Sequence, residues 1–290
     1  MTTPLRLRAR VDAPLTAVRR ALTDAEALRT WLAEHAEVDL PHRYAFWGRH
    51  TPDGAEPNQR LLHVDDRTLR LEWTIEGQAT TTEITVAPES TDATLIEVTQ
   101  SHVPDHAVAV QEGGLAVLVT FWSLAVANLI AYLEGREQTP KCDFTSRELH
   151  AHIDLPASPE EVYESLMDPA IFQRWAGARI DVERHVGGRW AMGGFDNVDQ
   201  PARIVELDPA HKVTMEWPDM VTTWELEGSA GKTRLTFVHS GFDGEPPYAG
   251  WVGWLGGMAE LRRFHEVPNW RSMWLGVEMP GIPDGVITIG

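Results

Sequence analysis

Ten residues in the second half of the chain combine apolar and aromatic side chains with one histidine at spacings that could form a single site. Strand alternation places seven of them on one face, and three follow in a predicted helix: Trp190, Met192, Met215, Trp217, Trp224, Phe237 and His239, then Trp251, Trp254 and Met258. If they converge, they predict an aromatic pocket for a small hydrophobic or aromatic molecule. The alternative is that they only fill a core, with His239 hydrogen-bonded to the backbone.

His239 is the best single polar candidate, because a neutral imidazole could bind a ligand or accept a proton near neutral pH. The sequence has no G-x-S-x-G, P-loop, G-x-G-x-x-G or H-E-x-x-H motif. We therefore assign no catalytic residue. With one cysteine, Cys142, and histidines that lack ligand spacing, we expect no metal and no cofactor.

The formal charge of −18 argues against nucleic-acid and anionic-membrane partners, since both require clustered basic residues. The first residues contain no apolar signal-peptide core, so we expect a cytoplasmic protein. Residues 113–133 are 21 residues without a charge, long enough to span a bilayer. Asn128 and the acidic residues at both ends favour a buried helix instead.

An internal repeat organises these elements. At a shift of 144, Ala13, Val18, Leu22, Asp24, Trp31 and Trp73 fall on Ala157, Val162, Leu166, Asp168, Trp175 and Trp217. The shift drifts to 139 at Thr94–Ser101 and to 132 at Trp122, which meets Trp254. Of the 12 tryptophans, three pairs superpose, and the excess lies in the second copy. The chain is thus predicted to contain domains at 1–140 and 145–266, with an apolar, Gly/Pro-rich tail at 267–290 that packs on one of them.

Each copy reads as a strand, two short helices, several antiparallel strands and a long final helix, which is an α+β arrangement. Capping boxes are predicted at Ser158–Glu161 and Thr23–Glu26. The last helix, about 249–265, is predicted to expose Glu260, Arg262 and Arg263. Helix 115–133 is more apolar, which predicts burial against the other domain or a second subunit.

The second copy also carries a series of family motifs: A-x4-V-x3-L-x-D-x6-W from Ala157, G-G-x-W from Gly187, D-P-x3-V-x2-E-W from Asp208 and T-R-L-T-x2-H-S-G-F from Thr233. They resemble the START-like (SRPBCC, Bet v 1-like) superfamily. More narrowly, they resemble bacterial relatives of the C-terminal domain of the activator of the 90-kDa heat-shock chaperone ATPase (Aha-type). The first copy matches more loosely, with Gln100-Ser101-His102 in place of His-Ser-Gly.

The resemblance implies two tandem helix-grip domains, each a curved antiparallel sheet around a long C-terminal helix, with a cavity for a small apolar ligand. It leaves the function open, since the fold hosts many. Ligand binding, mainly in the second domain, is the leading hypothesis. A protein-interaction or co-chaperone-like module, which could self-associate through helix 115–133, is the second. An aromatase/cyclase-like or hydrolytic enzyme using His239 is the third.

Overall fold

The computed structural model describes residues 4–103, 117–281, 287 and 289. Within them, the first half contains the helices α1 (Leu15–Thr23), α2 (Ala25–Trp31) and α3 (Val117–Leu133). Its strands are β1 (Leu5–Val11), β2 (His35–Asp39), β3 (Arg43–Trp47), β4 (Gln59–Val64), β5 (Thr68–Ile75), β6 (Gln78–Pro88) and β7 (Thr94–Gln100).

The second half contains the helices α4 (Pro159–Met167), α5 (Pro169–Ala176) and α6 (Tyr248–Glu266). Its strands are β8 (Leu149–Leu155), β9 (Ile180–Val182), β10 (Arg189–Met192), β11 (Ala202–Asp208), β12 (Lys212–Glu216), β13 (Val221–Ser229), β14 (Lys232–Ser240) and β15 (Trp274–Glu278). The helices and strands thus recur in the same order in the two halves.

The strands form two large antiparallel sheets and one hairpin. The six-stranded sheet has the order β15-β1-β7-β6-β5-β4, the seven-stranded sheet has the order β8-β14-β13-β12-β11-β10-β9, and β2 pairs with β3. The predicted α+β class with two tandem helix-grip domains is therefore confirmed. We call β1–β7 with α1–α3 domain 1, and β8–β14 with α4–α6 domain 2. The predicted boundaries at 1–140 and 145–266 stay predictions.

Equivalent side chains hold the two domains together in the same way. Trp31 Nε1 donates to the carbonyl of Ala21 at 3.0 Å, and Trp175 Nε1 donates to the carbonyl of Ser165 at 2.7 Å. Each of these hydrogen bonds connects the second short helix of its domain to the first. Both tryptophans are buried, so each indole places its apolar surface in the core and satisfies its N–H there.

The predicted helix cap is confirmed in domain 2, whereas in domain 1 the capping residue lies one position later than predicted. Ser158 forms the predicted capping box with Glu161 at the start of α4. In domain 1, however, Asp24 and not Thr23 caps α2, since its carboxylate accepts from the N–H groups of Glu26 and Ala27. Thr23 ends α1 and donates to the carbonyl of Arg19.

The two long helices, α3 and α6, pack against each other between the sheets. A Cβ at Gly256 of α6 would lie 3.6 Å from the backbone nitrogen of Leu124 of α3. The glycine therefore permits a close approach of the two backbones. This contact buries the apolar face of α3 within the chain, so a second subunit is not needed to cover it. None of the described helices is long and apolar enough to cross a membrane.

The tail crosses from domain 2 to domain 1. After α6 it runs to β15, which pairs with the edge strand β1 in the register Arg6–Glu278 and Leu7–Val277. Further on, Ile287 forms a bridge with Ala178. The predicted packing of the tail is thus observed, and it involves both domains.

The predicted exposure of three charged residues on the last helix is wrong. Glu260 and Arg262 are each 3% exposed, and the side chain of Arg263 is 12% exposed. The pattern indicated a helix with one solvent-facing side. The linker after α3 and the tail cover that side instead, as Arg262 donates to the carbonyl of Glu137 and Glu260 accepts from the N–H of Met273.

Candidate functional site

The predicted aromatic residues of domain 2 converge between the sheet and α6. Those that are fully or almost fully buried are Trp190, Met215, Trp224, Phe237, His239, Trp251 and Met258. Strand alternation points Trp224 of β13 and Phe237 of β14 inward, and their registers pair them directly. We call these seven residues, with the half-buried Trp217 and Trp254, the aromatic cluster.

The rings of the aromatic cluster touch one another. Trp190 lies 5.9 Å from Trp217, 6.1 Å from Trp224 and 5.8 Å from Trp254, measured between ring centroids. Phe237 stacks on Trp251 at 5.0 Å with an interplanar angle of 10°. These are favourable aromatic separations, so the predicted pocket is closed in this conformation. Trp217 and Trp254 are half-buried and form its rim.

Met192 does not join the cluster, although alternation places it on the face of Trp190. It is 40% exposed. It is the last residue of β10, and Gly193 and Gly194 follow it with positive φ, so the chain turns away there. Alternation from Trp190 therefore predicted burial wrongly at the last residue of the strand.

His239 is buried in the cluster without a hydrogen-bond partner. It is 2% exposed, and neither Nδ1 nor Nε2 has a partner among the residues that the structure describes. Its ring lies 4.8 Å from Phe237 and 5.3 Å from Trp251. Burial among these apolar rings lowers the pKa of His239 to about 4, so the imidazole is neutral near pH 7. The expected backbone hydrogen bond of a core histidine is not made.

At the equivalent position of domain 1, the buried polar side chain has hydrogen-bond partners. Gln100 corresponds to His239, and both face a threonine on the neighbouring strand, Thr82 and Thr222 respectively. The Oε1 of Gln100 accepts from Thr82 at 2.6 Å and from Trp122 Nε1 at 3.0 Å. Its Nε2 donates to the carbonyl of Ser101 at 3.0 Å. The amide of Gln100 thus has partners for both of its polar atoms.

In domain 2 the threonine opposite the imidazole is hydrogen-bonded to a different side chain. Trp217 Nε1 donates to Thr222 Oγ1 at 3.0 Å, and this hydroxyl makes no hydrogen bond to His239. Trp190 Nε1 is also buried without a partner, but so is Trp73 Nε1 in domain 1. An unpartnered indole therefore occurs in each domain, at positions that are not equivalent in the repeat, and the unpartnered imidazole distinguishes domain 2. Sequence reasoning missed Thr222, although its strand position opposite His239 could have indicated it.

Comparison with known families decides the relationship. The sequence model of the family described as "Activator of Hsp90 ATPase homolog 1-like protein" matches residues 12–134 and again residues 156–263. The chain belongs to this family. It carries two copies of the family's domain, in agreement with the two sheets. A search of curated proteins gave no match.

Solved structures of this type include the Aha1 dimer from Colwellia psychrerythraea, with 18% identity, 42% of this chain and 98% of that chain covered, and a TM-score of 0.37. CalU16 from Micromonospora echinospora has 20% identity, covers 41% of this chain and 75% of its own, and has a TM-score of 0.36. DynU16, from the dynemicin biosynthetic locus, has 16% identity, covers 91% of this chain and 99% of its own, and has a TM-score of 0.37.

Two small cavities lie between the domains of this tandem family member, and neither touches the aromatic cluster. The first lies between α3, α6 and the linker, beside Asn128, Lys141 and Cys142, and has a volume of about 10 Å³. The second, also about 10 Å³, lies beside Arg136 and Arg262. Each has room for about one water molecule. Because the rings of the aromatic cluster are in contact with one another, a ligand that enters the cluster would have to part them.

The site is chemically suited to binding. Neutral His239 offers one donor and one acceptor, and Trp190 Nε1 offers a second donor. No carboxylate among the described residues bonds to His239 to orient it as a base. A pKa of about 4 also makes the imidazole a weak base near neutral pH. Nor do the described residues gather three or more His, Cys, Asp or Glu side chains where a metal could bind.

Proposed function

We propose that domain 2 binds a small, planar, uncharged apolar or aromatic molecule within the aromatic cluster, with His239 as its polar contact. The supporting observation is the buried imidazole whose two nitrogens have no partner. An unsatisfied buried polar group costs about 1–3 kcal/mol, and Gln100 shows that the same fold can satisfy the position. A ligand that hydrogen-bonds to His239 would recover that cost.

The chemical class of the ligand follows from the residues around His239. Phe237, Trp251 and Trp254 present flat aromatic surfaces, which favour a planar ligand. The neutral imidazole favours a ligand with one polar substituent, such as a phenol or a ketone. A charged ligand is disfavoured, because no charged side chain belongs to the cluster to offset its desolvation.

Access would occur at the rim. Trp217 and Trp254 are half-buried, and both contact Trp190. Rotation of Trp254 would loosen its ring contacts with Trp224 and Phe237, and Phe237 in turn contacts His239. The fold itself does not supply an open cavity here, so binding would be coupled to this rearrangement.

The experiment uses 2-naphthol as a planar, uncharged probe and follows binding to the full-length protein by calorimetry. Wild type should bind, and His239→Leu should weaken binding by about tenfold, the effect of one lost hydrogen bond. Gln100→Leu in domain 1 is the matched control and should leave the affinity unchanged. Equal affinity in wild type and His239→Leu would contradict the proposed role of His239.

Native mass spectrometry of protein purified from its own host provides a second test, independent of the probe. A retained small molecule that is absent from His239→Leu would support the proposal. A molecule retained equally by wild type and His239→Leu would place its binding site elsewhere.

A further inference from the structure

The long helices α3 and α6 each carry a buried polar side chain at equivalent positions. Asn128 and Glu260 lie six residues after the equivalent tryptophans, Trp122 and Trp254, and both are buried. Each bonds to the backbone of the segment that follows its own helix. The two side chains therefore perform the same task, one for the interdomain linker and one for the C-terminal tail.

The two attachments differ in how completely they are satisfied. Asn128 accepts from the N–H of Thr139 at 2.9 Å and donates to the carbonyl of the same residue at 3.1 Å. Glu260 Oε1 accepts from the N–H of Met273 at 3.3 Å, while Oε2 is buried with no partner in the described part of the chain. An amide saturates its site, whereas a carboxyl leaves one oxygen unpaired.

Met273 is the anchor of the tail on domain 1. Its side chain is 1% exposed and belongs to the core of domain 1, and its carbonyl accepts from the N–H of Arg10 at 2.8 Å. Beyond Met273, β15 pairs with β1, and Nη1 of Arg6 lies 4.0 Å from Oε2 of Glu278. We call residues 270–278 the strap. Glu260 therefore contacts the strap at a residue that is buried in the core of domain 1.

The charges around Glu260 do not compensate an ionised carboxylate. The charge of Arg263 favours ionisation of Glu260, but Arg263 is already paired with Glu134. Ser272, Met273 and Trp270 of the strap also favour the ionised form, more weakly than Arg263. Desolvation outweighs all four, so the pKa of Glu260 is raised to about 7.

Charged groups on the other elements packed around α6 are engaged with different residues. Asp154 of β8 interacts electrostatically with Arg262, and Glu161 of α4 does so with His265. The guanidinium of Arg174 of α5 lies over the ring of Phe264. Arg136, after α3, pairs with Glu134 and Glu266, and Arg10 of β1 pairs with Glu89 and Asp12. Helix α3 itself has no charged residue. Ionised Glu260 would thus be a buried charge with one shared counter-ion.

We propose that Glu260 makes the strap a releasable element, docked on β1 while the carboxyl is neutral and detached when the carboxyl ionises. The equivalent Asn128 has no such dependence, and it holds the linker at any pH. Release would uncover the outer edge of β1, which β15 covers in the docked state. The unpaired hydrogen-bonding groups of such an edge are suited to pairing with another extended segment.

Hydrogen exchange of the full-length protein between pH 5 and pH 8.5, followed by mass spectrometry, tests this proposal on the peptide 273–278. After correction for intrinsic exchange rates, protection in wild type should fall by up to about tenfold per pH unit as the pH rises from 5 to 7, and should then level off. Glu260→Gln keeps the shape and removes the ionisation, so its protection should not change with pH.

Two controls separate strap release from other openings. A peptide of β7 containing Val98 should stay protected at all pH values, because β7 lies inside the sheet. In Asn128→Asp, the pH dependence should appear at Thr139 of the linker, where wild type shows none. Independently, trypsin should cleave after the exposed Arg271 faster at pH 8.5 than at pH 6 in wild type, relative to Glu260→Gln.

Constant strap protection in wild type over this pH range would overturn the proposal, as would the same pH dependence in Glu260→Gln. Loss of protection in β7 in parallel with the strap would show global unfolding and would also overturn it. None of these outcomes depends on a bound ligand in domain 2.

Discussion

Replacing His239 with leucine should stabilise domain 2, while the same replacement at the equivalent Gln100 should destabilise domain 1. Leucine fills a similar volume and removes an imidazole that is buried without partners, so we expect a gain of about 1–2 kcal/mol. Gln100→Leu leaves the N–H of Trp122 and the hydroxyl of Thr82 unpaired. The loss of partners for these two buried groups should lower the free energy of unfolding of domain 1 by about 2–5 kcal/mol in total.

Urea denaturation at pH 7, followed by circular dichroism and by hydrogen exchange of peptides from each domain, measures the two effects separately. The exchange data are needed because two domains need not unfold in one step. His239→Gln provides a second variant, in which the residue of domain 1 is placed in domain 2. A loss of 2 kcal/mol or more in both His239 variants, on the order of that in Gln100→Leu, would refute the reasoning, since it would mean that the imidazole has a stabilising partner.

Three further predictions concern pH, helix packing and the single cysteine. Because burial lowers the pKa of His239 from 6.5 to about 4, the unfolded chain binds this proton more readily, so stability should fall by up to about 3 kcal/mol between pH 6.5 and pH 4. Urea titrations should show that His239→Leu lacks this part of the loss; the same slope in both proteins would contradict it. Gly256→Ala should be tolerated, since its Cβ would lie 3.6 Å from Leu124, whereas Gly256→Leu should separate α3 from α6 and lower stability by about 1–3 kcal/mol in thermal unfolding. Burial raises the pKa of the Cys142 thiol, so a thiol reagent at pH 8 should modify it only as fast as the protein opens, and rapid labelling of native protein would disprove this.

The internal repeat explains why so much of the fold was predictable. Equivalent residues such as Trp31 and Trp175 make the same hydrogen bonds, so a periodicity found in one copy could be checked in the other. Strand alternation then identified the inward face of the second sheet, including Trp224 and Phe237. These features depend on local spacing and on burial of apolar surface, and both are visible in a single sequence.

What was not predictable depends on contacts between distant segments. Glu260 and Arg262 were expected in solvent because charged residues on a helix normally mark its exposed side. They are buried because the linker and the tail meet on that side of α6. Likewise, alternation could not show where β10 stops, and Met192 is exposed for that reason. Periodicity along one element contains no information about what later covers it.

The state of the candidate site was the least accessible to sequence reasoning. The replacement of Gln100 by histidine in the second copy is visible at the shift of 139, but the partners of each side chain are not. A core histidine and a ligand-binding histidine have the same sequence signature. Only the geometry distinguishes them, since it places His239 in the core with neither ring nitrogen hydrogen-bonded to a described residue.

The two domains differ in the same sense at two separate buried positions. In domain 1, Gln100 and Asn128 are neutral amides with hydrogen bonds on both polar atoms. In domain 2, the equivalents are the ionisable His239 and Glu260, each with an unpartnered atom. A fold that needed only stability would gain from the amide at both positions. Each ionisable residue carries a cost that the amide at the equivalent position of domain 1 does not. We therefore infer that domain 2 retains His239 for ligand binding and Glu260 for control of the strap.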